Sequence, residues 1–520
     1  MAVDASRGTI DAHGAGDGVG VGAGPGVDTA PRTGRSAADI AVLSGRVPWL
    51  ARLAYSLGNA CETILGRSFE LFVLFYYTQI KGVPGTVAGL AILVAMLVDA
   101  LIDPLVGSYS DSLKSRFGRR HALMYAAALP SALFFVLLFA PPAGLGGAAL
   151  GMWLAFAAIG LRVSITFFHI PWSAQVAELS TDAHERLTLA VWRNLFAVAA
   201  QFGIVAVAFD VFFRATPEYP RGQENPAAYL PFAVTVGVAM ILIIVLSALG
   251  TRARMKEVEA AQPAAPQRFS LGALLPAWRD MIFGFANFRA FFFAALFLLT
   301  AAAMFNAMTL WLGSYYWGLD PDQIKKWQFA FILGALLTMI AGFAMSVPAG
   351  RDWVKRMSPA TLMRWCIAAG VVLWAGPMLL RELGLFEGRG AAALPLLQWT
   401  NGLAGFTLGV VQIVSALISA ETAEEYEGRT GLKATAMLFG FVFLSMKTAS
   451  GLGKMLAGVT LDAIAFPTAQ GAAASATPAQ LSALGWACTL VLLVLGALAL
   501  GAFAAYRSAS RPAALEPVKS

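Results

Sequence analysis

Charged residues are scarce in this sequence of 520 residues, in which Asp, Glu, Lys and Arg make up 13% and hydrophobic residues 58%. A soluble globular protein carries roughly 25% charged residues, so this chain cannot build a water-facing surface for a body of its size. No Asp, Glu, Lys or Arg occurs between His121 and Arg162. This stretch excludes a transmembrane β-barrel, whose strands alternate apolar and polar residues. The composition therefore predicts a helical membrane protein.

Cysteine and histidine are also rare, with three and four residues respectively. Cys61, Cys366 and Cys488 lie far apart in or beside apolar runs, which argues against a disulfide framework and a zinc site. The sequence contains no phosphate-binding G-x-x-x-x-G-K-[ST] loop, no G-x-S-x-G and no C-x-x-C, the motifs that would indicate an enzyme or an ATP-driven pump. We expect no enzymatic activity and no cofactor, and an ion gradient as the energy source.

Twelve apolar runs follow the N-terminal tail, each long enough for the roughly 20 residues that span a bilayer core. They predict an all-α membrane protein of twelve transmembrane helices in two pseudo-symmetric six-helix halves. We expect a disordered tail over 1–45, a first half over 46–250, a central loop over 251–285, a second half over 286–507 and a second tail over 508–520. The runs lie at about 49–79, 84–111, 121–141, 147–177, 188–213, 229–250, 288–317, 324–350, 360–381, 391–420, 432–464 and 481–506.

The placement of Lys and Arg predicts how the chain is oriented, because basic residues accumulate in cytoplasmic loops. Most of them fall in the loops and tails on the side of the two termini. We therefore expect a multi-pass protein of the cell (inner) membrane with both termini in the cytoplasm, and we read the net charge of +7 as topology rather than as a sign of nucleic-acid binding. The loops on the other side hold only Lys81, Arg214, Arg221, Lys325, Lys326, Arg381 and Arg389.

Asp99 and Asp103 are four residues apart in the second run and so share one helix face. Asp111 marks the cytoplasmic end of that helix, which puts both carboxylates roughly 12 to 18 Å inside it at 1.5 Å per residue. Ionisable residues at that depth face the bundle interior and mark ion or proton pathways. The pair predicts a site for a monovalent cation or a shared proton; the alternative is a structural ion pair with Arg67 or Lys447.

Charged residues at the cytoplasmic helix ends predict gating contacts. After the second run the chain reads Gly107-x3-Asp111-x4-Arg116-x-Gly118-Arg119-Arg120. The fourth run is followed by Glu178-x3-Asp182-x3-Arg186, and the tenth by Glu421-x3-Glu425-x3-Arg429. The same spacing in both halves indicates an internal repeat. We expect a symmetric pair of latches, although two ordinary solvated helix ends with i,i+4 ion pairs are the alternative.

Three segments resemble the glycoside-pentoside-hexuronide:cation symporter family of the major facilitator superfamily, typified by the melibiose permease. They are DALIDPLVGSYSDSLKSRFGRR, HIPWSAQVAELSTDAHERLTLAVWR and, more weakly, SMKTASGLGKMLAG. The resemblance covers about residues 49–506. It implies the major facilitator fold and cation-coupled transport by alternating access.

The resemblance also implies roles for individual residues. Asp99, Asp103 and Thr166 correspond to the family's cation site, which holds Na⁺ as a metal ligand if the protein is coupled to sodium. Lys447 corresponds to a lysine between the cation and sugar sites, and Arg193 to an arginine near the sugar.

Two positions depart from the family pattern. Where the melibiose permease holds sugar hydroxyls with two aspartates, this sequence has Thr63, next to Glu62, and His169, followed by Trp172. We expect these four residues, with Arg193 and Lys447, to bind the substrate. A structural His169, satisfied by a backbone carbonyl, is the alternative. A histidine before a Pro-aromatic segment also resembles the sodium-coupled lysolipid carriers of the superfamily.

The expected function is symport of Na⁺ or H⁺ with a glycoside or related sugar, the small-molecule partner, by a monomer in the lipid bilayer. The alternatives are a cation-coupled symporter of a lysolipid-like or other small metabolite, and a transport-inactive sensor of the same fold. Among the remaining charges, we expect Arg67 and Glu70 to pair within their helix, and Arg162 and Lys454 to act as gating partners or to extend to the membrane surface. We expect Tyr and Trp near helix ends to anchor the protein in the membrane interface; they are Tyr76, Tyr77, Tyr315, Tyr316 and Trp317.

Overall fold

A computed structural model describes residues 46–113, 115–261, 279, 282–346, 358–430, 435–468 and 476–507. The predicted tails 1–45 and 508–520 and most of the predicted central loop lie outside these residues. The described residues form twelve long helices, one for each apolar run. They are α1 (Trp49–Ser68, continued by π-helical turns at Phe69–Val73 and Tyr76–Ile80), α2 (Gly85–Ser112), α3 (His121–Phe139), α4 (Gly147–Leu179), α5 (Ala183–Val207, continued by Ala208–Phe212), α6 (Pro226–Ala261), α7 (Ala286–Trp311, continued by Leu312–Tyr316), α8 (Pro321–Ser346), α9 (Pro359–Glu382), α10 (Leu394–Thr430), α11 (Thr435–Ala463) and α12 (Pro478–Ala504).

The predicted fold class is confirmed: ten of these helices, among the described residues, are long and apolar enough to cross a membrane. The other two are α1 and α11, which carry several of the charged residues of the candidate site. Two helices extend about ten residues beyond the predicted runs. α6 continues to Ala261 and so takes up the first part of the expected 251–285 loop, and α10 continues to Thr430.

The two halves repeat the same packing scheme. In the first half α1 packs against α5 and α6, α2 against α4, and α3 against α4 and α6. The second half repeats these pairs as α7 with α11 and α12, α8 with α10, and α9 with α10 and α12. Since successive helices reverse direction, the start of α1 and the end of α12 lie at one end of the bundle. We call it the termini end and the other the opposite end.

The halves meet closely along α2 and α11. An ideal Cβ on Gly85 would lie 2.4 Å from the carbonyl oxygen of Gly458, so the two backbones are in direct contact there. Nearby, the carboxylate of Asp462 accepts hydrogen bonds from the backbone N–H groups of Gly85 (2.8 Å) and Thr86 (2.7 Å). A carboxylate at a helix N-terminus is favourable because the N–H groups there lack intrahelical acceptors.

Further contacts join the halves at the opposite end. Lys325 Nζ of α8 lies 2.5 Å from Asp210 Oδ1 of α5, and the Tyr315 hydroxyl donates to Glu224 at 2.7 Å. These contacts close the bundle at the opposite end.

The five end-of-helix aromatics are not interfacial anchors, which corrects the prediction. All five are buried, none being more than 3% exposed. The Tyr76 and Tyr77 hydroxyls donate to the carbonyl groups of Phe139 and Leu138 at the end of α3. These side chains therefore hold helix ends together inside the protein.

Candidate functional site

Each of the two helices that carry the predicted cation ligands contains a proline. Pro104 follows Asp103 inside α2, and Pro171 lies inside α4 shortly after Thr166. A proline has no N–H, so each leaves the carbonyl group four residues earlier without its usual donor. Local irregularity of this kind in a membrane helix is tolerated where it lines a cavity or is covered by protein.

The structure brings the three predicted cation ligands together. The Thr166 hydroxyl of α4 lies 2.9 Å from Asp99 Oδ1 and 3.3 Å from Asp103 Oδ1 of α2. It also lies 2.9 Å from the Arg162 carbonyl oxygen. Asp99 is 2% exposed, whereas Asp103 is 20% exposed. The cluster therefore offers one buried and one accessible carboxylate, both of them hard oxygen donors.

Lys447 of α11 closes this cluster from the other half of the protein. Its Nζ lies 2.9 Å from Asp99 Oδ2 and 2.5 Å from Asp103 Oδ2. Of the two ion-pair partners considered from sequence, Lys447 pairs with the aspartates and Arg67 does not. With Glu62 and Arg162, which lie beside the pair, three carboxylates face two cationic side chains and leave one net negative charge, which suits a single further positive charge.

Arg162 of α4 lies beside the cluster, a position that the sequence did not reveal. Its Nη1 is 3.7 Å from Glu62 Oε1 of α1 and 4.0 Å from Asp99 Oδ2. Arg162 is 8% exposed, so of the two alternatives considered from sequence, the one in which it extends to the membrane surface is wrong. The guanidinium lies 4.8 Å from the centre of the Phe69 ring.

The other predicted substrate residues lie on α1, α4 and α5. Glu62 is partly exposed, and its Oε2 has no hydrogen-bond partner among the described residues. Thr63 donates to the Asn59 carbonyl oxygen within α1 at 2.9 Å. His169 is half-buried and stacks on Trp172 at 5.6 Å between ring centres. Within the described part of the chain no hydrogen bond to the His169 ring is found, so the backbone carbonyl expected in the structural alternative is not its partner.

Trp172 differs from the expectation that it contacts substrate directly. The side chain is 1% exposed, and its indole N–H donates to the Tyr55 carbonyl oxygen at 2.8 Å. The ring stacks on Tyr55, and the Arg193 guanidinium lies 5.8 Å from its centre. Trp172 is therefore buried and supports His169 and Arg193, which are more exposed.

Arg67 and Lys454 form a polar layer between the cluster and the opposite end. Arg67 pairs with Glu70 at 3.2 Å, as predicted, and also donates to Gln328 (2.8 Å) and Asn306 (3.3 Å) of the second half. Lys454 is 1% exposed, and its Nζ lies 2.7 Å from the Ser450 hydroxyl. The alternative in which Lys454 extends to the membrane surface is therefore wrong.

Four of the predicted gating residues of the first half form one network at the termini end. Glu178 at the end of α4 accepts from Arg119 (2.9 Å) and from two nitrogens of Arg120 (2.6 and 2.8 Å), and Arg120 also pairs with Asp111 at 3.1 Å. Burial lowers the pKa of Arg120, but Glu178 and Asp111 outweigh that effect and the pKa is raised. The exposed Arg116 instead lies over the Phe117 ring at 4.8 Å.

The two predicted latches are not alike. Asp182 caps α5 by accepting from the His184 N–H, and Arg186 donates to the carbonyl groups of Ser180 and Ala177 rather than pairing with Asp182. In the second half Glu425 and Arg429 form the i,i+4 ion pair at 2.8 Å, and Glu421 accepts from Tyr506 at 3.0 Å. The i,i+4 alternative thus holds for the second half, and helix capping replaces it in the first.

Apart from Lys447 with the two aspartates, sequence reasoning missed the contacts that cross between the halves. They involve Arg67 with Gln328 and Asn306, and Asp462 with the start of α2. The signals for them were intramembrane polar residues in apolar runs, but nothing in the sequence pairs residues separated by more than 200 positions. Among the described residues there is no group of three or more His, Cys, Asp or Glu side chains that could hold a metal ion. The Asp99–Asp103–Thr166 cluster contains two such side chains and suits a monovalent ion better.

The chain is similar to curated transporters and to solved structures over most of its length. The chain is 24% identical to the isoprimeverose transporter of Lactiplantibacillus pentosus over 425 residues. This match covers 80% of this chain and 81% of that protein. It is 21% identical to a putative glycoside/cation symporter of Escherichia coli, over 78% of this chain and 81% of that protein. In fold it is similar to a nucleoside transporter (TM-score 0.57, 14% identity, 88% of this chain and 100% of that one).

The family described as MFS/sugar transport protein matches residues 54–507. This match covers nearly all of the described residues and includes every helix of the candidate site. It confirms the resemblance seen in the three sequence segments and identifies a transporter rather than an enzyme. The chain belongs to the MFS/sugar transport protein family and is a multi-pass secondary transporter of the membrane.

Proposed function

We propose that this protein is a cation-coupled symporter that takes up a glycoside or related sugar together with Na⁺ or H⁺. The observation that carries the proposal is the cluster of Asp99, Asp103 and Thr166 around Lys447. Carboxylates at this depth in a membrane protein are costly and rare, and they mark ion or proton pathways. The names of the relatives, an isoprimeverose transporter and a glycoside/cation symporter, support a sugar as the solute.

In the proposed cycle, the cation enters from the opposite end and neutralises Asp99 and Asp103. Lys447 then loses its partners and turns to the cavity, where Glu62, Thr63, His169 and Arg193 hold the solute. Burying unneutralised charge costs several kcal/mol per ion, so the halves rock freely only when the carrier is fully loaded or empty and internally paired. The termini end, cytoplasmic in this proposal, then opens to release both.

Uptake by proteoliposomes tests the proposal. Purified full-length protein is reconstituted, and entry of labelled isoprimeverose, a methyl glycoside and a glucuronide is followed under an inward sodium gradient, an inward proton gradient or neither. Accumulation of a sugar under one gradient supports the proposal and identifies the cation. If none of these sugars is taken up, and uptake of a lysolipid exceeds that in detergent-matched controls, the sugar assignment is wrong. Binding without gradient-driven uptake would favour a transport-inactive sensor.

A further inference from the structure

Arg162 lies between a residue of the proposed solute site and a residue of the proposed cation site. Its guanidinium is 3.7 Å from Glu62 and 4.0 Å from Asp99. Both distances exceed those of a hydrogen bond, whose usual limit is about 3.2 Å. The guanidinium is therefore shared between two carboxylates without being fully bonded to either, and a displacement of about 1 Å would complete a charge-assisted hydrogen bond to one of them.

The surroundings restrict where this guanidinium can move. It lies over the face of Phe69, at 4.8 Å, and the Lys454 ammonium lies 5.8 Å from the same ring. A second positive charge beside Phe69 makes movement toward the opposite end unfavourable. Glu62 has a free acceptor, because its Oε2 has no partner among the described residues. The two carboxylates are thus the favourable directions for Arg162.

We propose that Arg162 is a positioning residue that couples the cation site to the solute site, an inference that rests on the proposed function. When a cation neutralises Asp99, that carboxylate no longer attracts the guanidinium. Arg162 then moves to Glu62 and holds its carboxylate in one orientation toward the solute. Glu62 is thereby ready for the solute only after the cation has bound.

Coupling between two sites is reciprocal, so Glu62 must also influence cation binding. If Glu62 is neutralised, Arg162 bonds fully to Asp99, and the cation must displace it. The cation affinity then falls although Glu62 is not a cation ligand. This effect requires Arg162. A direct electrostatic influence of Glu62 on the cation would persist without Arg162, so removing Arg162 distinguishes the two explanations.

A double-mutant cycle measured without any solute tests this prediction. The variants are Glu62→Gln, Arg162→Gln and the double variant of the full chain in detergent. The thermal midpoint is recorded against NaCl at constant ionic strength with choline chloride, and against pH without sodium, because a ligand of the folded state raises that midpoint. Arg193→Gln is the matched control, since it removes a cavity guanidinium that lies over Trp172 rather than beside Asp99.

We expect Glu62→Gln to weaken cation affinity about five- to tenfold in the wild-type and Arg193→Gln backgrounds, and less than about twofold in Arg162→Gln. Equal effects in all three backgrounds would overturn the role of Arg162 and leave the cation site intact. No response of the wild-type protein to sodium or protons would instead overturn the proposed cation coupling, and this inference with it. If Arg162→Gln does not fold, Arg162→Lys replaces it, because a compact ammonium lacks the planar fork and should also reduce the effect of Glu62→Gln.

Discussion

The Lys447 ammonium of α11 lies 2.9 Å from Asp99 and 2.5 Å from Asp103 of α2, where it joins the two halves of the protein at their most charged point. The lysine is an internal counter-ion for a pair of carboxylates that would otherwise repel each other. An entering cation must therefore compete with Lys447. Lys447 belongs to the second half, whereas Asp99, Asp103 and Thr166 all belong to the first half.

Lys447→Gln should increase the affinity for the coupling cation, because the competing positive charge is removed while the hydrogen-bonding length is largely kept. We expect the half-saturating cation concentration to fall about tenfold, which corresponds to one pKa unit or 1.36 kcal/mol. This concentration is measured by recording the thermal midpoint as a function of sodium concentration and of pH. Lys326→Gln is the control, since Lys326 is an exposed residue paired with Asp322. An unchanged or weaker affinity in Lys447→Gln would contradict the competition.

Asp99→Asn should abolish gradient-driven accumulation and keep solute exchange across the membrane. The amide is neutral at all times, so the carrier behaves as if loaded with its cation and moves without the gradient. We expect accumulation to fall at least about tenfold, with exchange retained, in proteoliposomes. Asp322→Asn, at a surface ion pair of α8, provides the matched substitution outside the cluster. Full accumulation by Asp99→Asn would show that the coupling site is elsewhere.

The sequence predicted those parts of the structure that depend on local periodicity. Apolar runs predicted all twelve helices, and four-residue spacing placed Asp99 and Asp103 on one face, where Thr166 joins them. The prediction from sequence failed where two local interactions compete. Asp182 and Arg186 have ion-pair spacing, but each satisfies unpaired backbone groups at a helix end instead.

Contacts between helices that are far apart in the sequence were beyond such reasoning. Arg162 and Glu62 are 100 positions apart, and Asp462 and Gly85 are separated by 377. Their proximity depends on how α1, α2, α4 and α11 pack, which no spacing within one helix encodes. The aromatics at the helix ends were misplaced for the same reason, because their burial results from neighbouring helices.

Asp462→Asn should weaken closure of the opposite end. The carboxylate accepts from two N–H groups at the start of α2, and a neutral amide loses the charge-assisted part of this capping, worth about 1 kcal/mol at a helix N-terminus. This corresponds to about a fivefold increase in the population open at that end. Asp320→Asn is the matched control, because Asp320 caps α8 within its own half.

Spin labels report this equilibrium. The labels are attached at Ala143→Cys and Leu385→Cys, on exposed loops of the two halves at the opposite end, and the three native cysteines, all buried, are replaced by Ala. Electron–electron distance measurements should show a larger long-distance population for Asp462→Asn than for the parent or Asp320→Asn. Equal distributions in the three proteins would mean that the cap does not hold the halves together.

Gly458→Ala should open the same end more strongly than Asp462→Asn does. A Cβ at this position would lie 2.0 Å from the Gly85 carbonyl oxygen, a backbone atom that cannot move without shifting α2. Overpacking of this kind costs about 1–3 kcal/mol, and it penalises only the conformation in which α2 and α11 touch, so the open population should rise about tenfold. Gly66→Ala is the matched control, because nothing lies within 4 Å of its Cβ position. The same pair of spin labels measures the effect, and a closed population as large in Gly458→Ala as in Gly66→Ala would show that backbone contact between Gly85 and Gly458 is not required for closure.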